Sequence, residues 1–201
     1  MSINVCNDRS MASITSLPSG VSGSSLVLIS EQTASSSSTI SFTSGIDSTY
    51  KEYIFKFIDI HPSADGEDLE FNMSADTGSN YNVTKTTTLF DIVHNEDGSN
   101  PDVAYSGGRD LAQGTGFQDL MGGIGNDNDQ SGSGYLHLFN PSSTTFVKHF
   151  IAQTQMNSAT NYSVGGNTAG YFNTTSAITA IQFKMSSGNI DAGDICLYGI
   201  L

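Results

Sequence analysis

Ten residues, Lys51–Ile60 (KEYIFKFIDI), place apolar side chains on both faces of an extended segment. Tyr53, Phe55 and Phe57 fall on one face, and Ile54, Ile58 and Ile60 on the other. Side chains alternate sides along a strand, so a stretch apolar on both sides is a central strand covered twice, or one that gives a face to a neighbouring subunit. A second stretch, Asp68–Ala75, alternates without a fault. Leu69, Phe71, Met73 and Ala75 are set against Asp68, Glu70, Asn72 and Ser74, the pattern of a strand with one face in a core and the other in water.

Further β-prone bursts recur along the chain at Leu26–Ile29, Thr39–Phe42, Val83–Val93, Tyr135–Phe139, Thr145–Ala152, Ala177–Met185 and Ile195–Ile200. Turn-forming residues separate them: Pro62–Gly66, NEDG at Asn95–Gly98, NPSST at Asn140–Thr144 as a hairpin loop, and Ser186–Gly188. A short helix is expected within Arg109–Met121, weakened by Gly114 and Gly116. About nine or ten strands at this spacing predict an all-β fold, an antiparallel jelly-roll-like β-sandwich. Residues 1–23, small and Ser-rich with Pro18 and Gly20, read as an extended N-terminal arm, and 24–201 as a single β-sandwich domain.

Charge narrows the function. Twenty acidic residues oppose seven basic ones in 201, a formal charge of −13, and the basic residues are scattered singly. Tracking phosphates needs clustered Lys and Arg, so no nucleic acid is expected as a partner. The longest strongly apolar run, Leu26–Ile29, is far short of the ~20 residues of a membrane helix, and no membrane partner is expected. Met1–Met11 lacks a basic stretch followed by an apolar one, so no export signal is read there. Cys6 and Cys196 are expected as free thiols. The sequons at Asn72, Asn82, Asn161 and Asn173 are read as chance in a chain rich in Asn, Ser and Thr.

Candidate sites are few. In GNDNDQ (Gly125–Gln130), Asp127, Asp129 and Ser131 followed by Gly132 have the spacing of the start of a calcium loop, yet Leu138 stands where the bidentate Glu belongs. A solvated turn is the expectation there. Asp65, Glu67 and Asp68 form an acidic cluster on a turn and offer carboxylates for a glycosidase reading, with Asp127 as another. His61, His94, His137 and His149 stand alone, although His137 and His149 lie on expected hairpin partners and can approach each other. No nucleophile elbow or phosphate loop occurs, and no enzyme activity, cofactor or metal is expected. Sugar binding would rest on Tyr105, Tyr135, Tyr162 and Tyr171, in a chain without Trp.

Four segments carry a resemblance: ISFTSGIDSTYKEYIFKF (Ile40–Phe57), NVTKTTTLF (Asn82–Phe90), LHLFNPSSTTFVKHF (Leu136–Phe150) and FKMSSGNIDAGDICLYGI (Phe183–Ile200). Over Ser38–Leu201 the chain resembles small β-sandwich virion structural proteins of marine tailed bacteriophages, and the arm falls outside the resemblance. The resemblance implies a virion component, and no functional residue carries over with it. The expectation is a capsid decoration, or cement, protein assembled in the host cytoplasm and placed on the outer surface of the virion. It would bridge capsomers, with the major capsid protein and copies of itself, as a symmetric trimer, for partners. The alternative is a tail-fibre or adaptor module recognising a host glycan or surface protein through exposed aromatics such as Tyr105, Phe117, Tyr162 and Tyr171.

Overall fold

The computed structural model describes residues 25–201, so the expected arm, with Cys6, lies outside the described residues. Two antiparallel sheets face each other. The larger runs β1 (Leu26–Thr33), β12 (Ile190–Ile200), β3 (Glu52–Pro62), β8 (Gly132–Phe139), β9 (Lys148–Asn157), β10 (Tyr162–Phe172), β5 (Lys85–Asn95) and β6 (Asp102–Tyr105). The smaller runs β2 (Ile40–Phe42), β11 (Ala180–Met185), β4 (Glu67–Ser74) and β7 (Gln118–Ile124). The all-β, two-sheet expectation is met.

An aromatic spine fills the space between the sheets. Phe183 on β11 lies with its ring centroid 5.3 Å from Phe57, 5.5 Å from Phe55 and 6.4 Å from Phe42 and Phe71. Phe71 in turn meets Phe150 at 5.1 Å and Phe172 at 6.1 Å. Edge-to-face pairs of this kind add to the apolar area they bury. The spine follows the sequence periodicity, since Leu69, Phe71 and Met73 alternate inward on β4, and Ile181, Phe183 and Met185 on β11.

The structure departs from the simple alternation at several points. Ile60, expected opposite Phe57, is fully buried on the same side, because a bulge at Asp59 (φ +50°) shifts the register and turns the chain over. Gly193 on β12 makes room for it: a Cβ there would lie 2.5 Å from the Asp59 carbonyl oxygen. The outward face of β3 is covered at Ile54 and open at Ile58, 44% exposed. On β4 the face expected in water is buried at Asn72 and Ser74, whereas Ala75 is exposed. Asn72 Nδ2 donates to the carbonyls of Tyr81, Thr115 and Gly116 in loops that fold over that face. The helix expected in Arg109–Met121 is instead turns followed by β7, with Gln118–Met121 extended.

Besides the smaller sheet, loops cover inward positions of the larger sheet at β5 and β9. Two lysines on inward positions hold such loops. Lys148 is fully buried and its Nζ donates to the Thr174 carbonyl at 3.1 Å. Lys85 is fully buried and its Nζ donates to the Gly116 carbonyl at 2.5 Å. Neither has a carboxylate partner among the described residues.

Candidate functional site

The acidic residues singled out in the sequence do not converge on one centre. Asp127 and Asp129 are exposed on the β7–β8 turn, which is closed by Gln130 through its backbone N–H to the Asp127 carbonyl, 2.9 Å. Asp65 caps the same turn, its Oδ1 accepting from the Asn126 N–H at 3.1 Å. Glu67 accepts from Ser186 Oγ at 2.6 Å. Asp129 shares a surface depression with His61 and with Asp59 and Asp191, two carboxylates that no local spacing marks. Among the described residues no group of three or more His, Cys, Asp or Glu side chains is placed to hold a metal.

The histidines separate as well. His137 is engaged by Glu52 Oε1 and by the Tyr135 ring, while His149 lies near the Tyr171 ring. The two therefore take different partners on the same sheet face. Tyr105 donates to Asp110, Phe117 lies under Lys184 Nζ, and Tyr162 packs against the core. Cys196 is buried on β12, and burial pushes its thiol pKa up.

Asp68 belongs to an inner network that spacing did not foreshadow. Arg109 Nη1 contacts Asp91 Oδ2 at 2.7 Å, and its Nε contacts Asp119 Oδ2 at 3.0 Å. Its Nη2 is buried without a partner against Gly122, where a Cβ would lie 2.1 Å away. Burial, and then the charge of Asp68, push the Asp119 carboxyl up to about 6 despite the guanidinium beside it. Burial also raises Asp68, whose Oδ1 accepts the Gly123 N–H at 2.6 Å. The network ties β5, the turns before β7 and β7 itself across the open side of the sandwich.

The outward face of the larger sheet is the more unusual surface. The chain carries −13, yet no outward position on β8, β9, β10, β5 or β6 is Asp, Glu, Lys or Arg. A row crosses five strands in register, Leu28, Tyr198, Ile54, His137 and Ile151, apolar except for His137, which Glu52 engages. Next to it lies a groove of about 450 Å³. One wall is the row Tyr135, Gln153, Asn167, and the second row is Ser133, Gln155, Gly165, Ile92, with Ser163 and His94 at the end. Tyr135 Oη donates to Gln153 Oε1 at 2.7 Å, and Gln155 Nε2 to Ser163 Oγ at 2.9 Å. Of the sequence candidates for sugar contact, only Tyr135 lines it. The amides were missed because Gln and Asn on a strand carry no spacing signature, and because the glycine-rich β10 was not read as a strand.

Comparison of the chain with protein-family models, with curated proteins and with solved structures finds no match, so fold and surface chemistry carry the functional reading.

Proposed function

We propose that the chain is a structural protein of a tailed-phage virion, a decoration protein on the outer shell that bridges capsomers through contacts with the major capsid protein and with copies of itself. The observation that carries this reading is the stretch of outward face on β8, β9, β10, β5 and β6 that holds no charged side chain, together with the exposed apolar side chains of the same sheet. A single acidic subunit exposing Leu28, Ile151, Phe90, Ile92, Val103 and Tyr105 on one sheet suits contact with other subunits. The strand order supports a jelly roll. β1-β12-β3-β8 opposite β2-β11-β4-β7 is the order of two interlocked Greek keys, with the hairpins β5–β6 and β9–β10 inserted to widen one sheet. Such sandwiches serve in capsids and in lectins. The resembling segments fall on β2–β3, β5, β8–β9 and β11–β12, four places along the sandwich.

β1, the first described strand, lies at the edge of its sheet, and we assign residues 2–23 the contact with the shell. The full chain is expected to co-sediment with particles stripped of it. Deletion of residues 2–23 should leave a folded, soluble sandwich that no longer co-sediments. Retained occupancy after the deletion contradicts the arm's role, and failure of the full chain to bind contradicts the shell reading. The groove favours a second reading, a glycan-recognising tail module, which predicts binding to cells rather than to shells.

A further inference from the structure

We propose that the groove centred on Gly165 binds a neutral saccharide. Its size falls within the roughly 300–1,000 Å³ of small-molecule sites. Its lining selects by chemistry. A sugar hydroxyl both donates and accepts, and the carboxamides of Gln153, Gln155 and Asn167 each offer both functions on one planar group. Asn167 makes no side-chain hydrogen bond to the described protein, and the two glutamines face it in adjacent rows. Tyr135 and Ile92 add apolar surface for the ring faces. No carboxylate lines the groove to attract a cation, and no Lys or Arg to hold a phosphate or an acidic sugar. The chain's −13 repels anions as well. A peptide strand finds no free backbone there, since β9 and β10 are paired on both sides.

Gly165 is the independent observation. Glycine in the middle of a strand costs stability and marks a bulge or a close approach. Its inward neighbours on β10 are forced: a Cβ at Gly166 would lie 2.7 Å from Thr154 Oγ1, and one at Gly170 would lie 2.5 Å from the Thr86 carbonyl oxygen. At Gly165 the nearest atom would be Gln155 Oε1 at 3.6 Å, ordinary contact, and its φ is not in the left-handed region. Neither the packing nor the backbone requires glycine here. What its absent side chain leaves is the floor of the groove.

The test is a titration of the full chain with maltose, lactose, cellobiose and N,N′-diacetylchitobiose at millimolar concentration, followed by amide chemical shifts. At least one disaccharide is expected to shift residues around Gly165 on β9 and β10. Gly165→Val, which fills the floor with a strand-favouring side chain, should weaken that binding by roughly tenfold or more with thermal stability kept or raised. Gln153→Ala gives a second reading should the valine variant fold poorly. Binding to none of the four, shifts confined to another surface, or undiminished binding in both variants overturns the assignment. The proposal stands apart from the shell reading: titration can fail while co-sedimentation succeeds, and the reverse.

Discussion

Replacing Arg109 with methionine will lower stability at pH 7 by about 3 kcal/mol, the low end for breaking a buried ion pair, because the side chain is 24% exposed. The loss comes from what remains behind. Asp91 and Asp119, 14% and 13% exposed, keep their desolvation cost and lose the cation between them. The dependence on pH identifies the cause. Asp119 has a folded pKa raised to about 6, above that of an unfolded chain, so its stabilising contribution is complete below about pH 4 and is lost as pH rises through 6. Without the guanidinium that pKa rises further. The gap between wild type and variant should therefore narrow when denaturant titrations are repeated at pH 5. Arg109→Lys, which restores charge without the fork, should recover part of it. A gap equal at both pH values would mean that packing over Gly122, and not charge, is what Arg109 supplies.

The opposite sign is expected at Lys85. Burial holds its ammonium at about 8 instead of 10.5, a difference worth about 3 kcal/mol against the folded state at neutral pH. The unfolded chain binds the extra proton between those values, so this group makes stability rise with pH from about 8 to 10.5. Lys85→Met keeps the length and apolar stem of the side chain and removes the charge. The Gly116 carbonyl is not orphaned, since Asn72 Nδ2 still donates to it at 3.1 Å. The variant should be more stable than wild type by about 1–3 kcal/mol at pH 7, after loss of one hydrogen bond, and that advantage should shrink as pH rises from about 8 to 10.5, where the wild type alone gains the Lys85 contribution. Destabilisation at pH 7, with a difference between variant and wild type that stays constant up to about pH 10.5, would refute this account of the site.

These two residues also show where the sequence could and could not be read. Strands whose apolar residues alternate, such as β4 and β11, were legible because burial on one face leaves a period of two. β10 was not, because YSVGGNTAGYF carries glycines where the sheet is crowded by its neighbours, a tertiary demand with no local signature. β7 has no legible period, since QDLMGGI is too short to show one and ends in two glycines and an isoleucine. The Asp59 bulge reversed Ile60 by one inserted residue that alternation cannot register. Lys85 and Lys148 sit on inward positions, where a sequence rule expects apolar side chains, because the loop carbonyls of Gly116 and Thr174 meet their ammonium groups there. The groove was the least legible of all. Its walls come from β5, β8, β9 and β10, and only the register of those strands brings the three amides together.

The shell reading rests on what surrounds this face in an assembled particle, and the number of copies there tests it most directly. Quantitative mass spectrometry of purified particles, referenced to the major capsid protein, is predicted to find the chain in the hundreds, because only a shell lattice offers that many equivalent positions. A dozen copies or fewer would place it on the tail or at one vertex and contradict the decoration assignment.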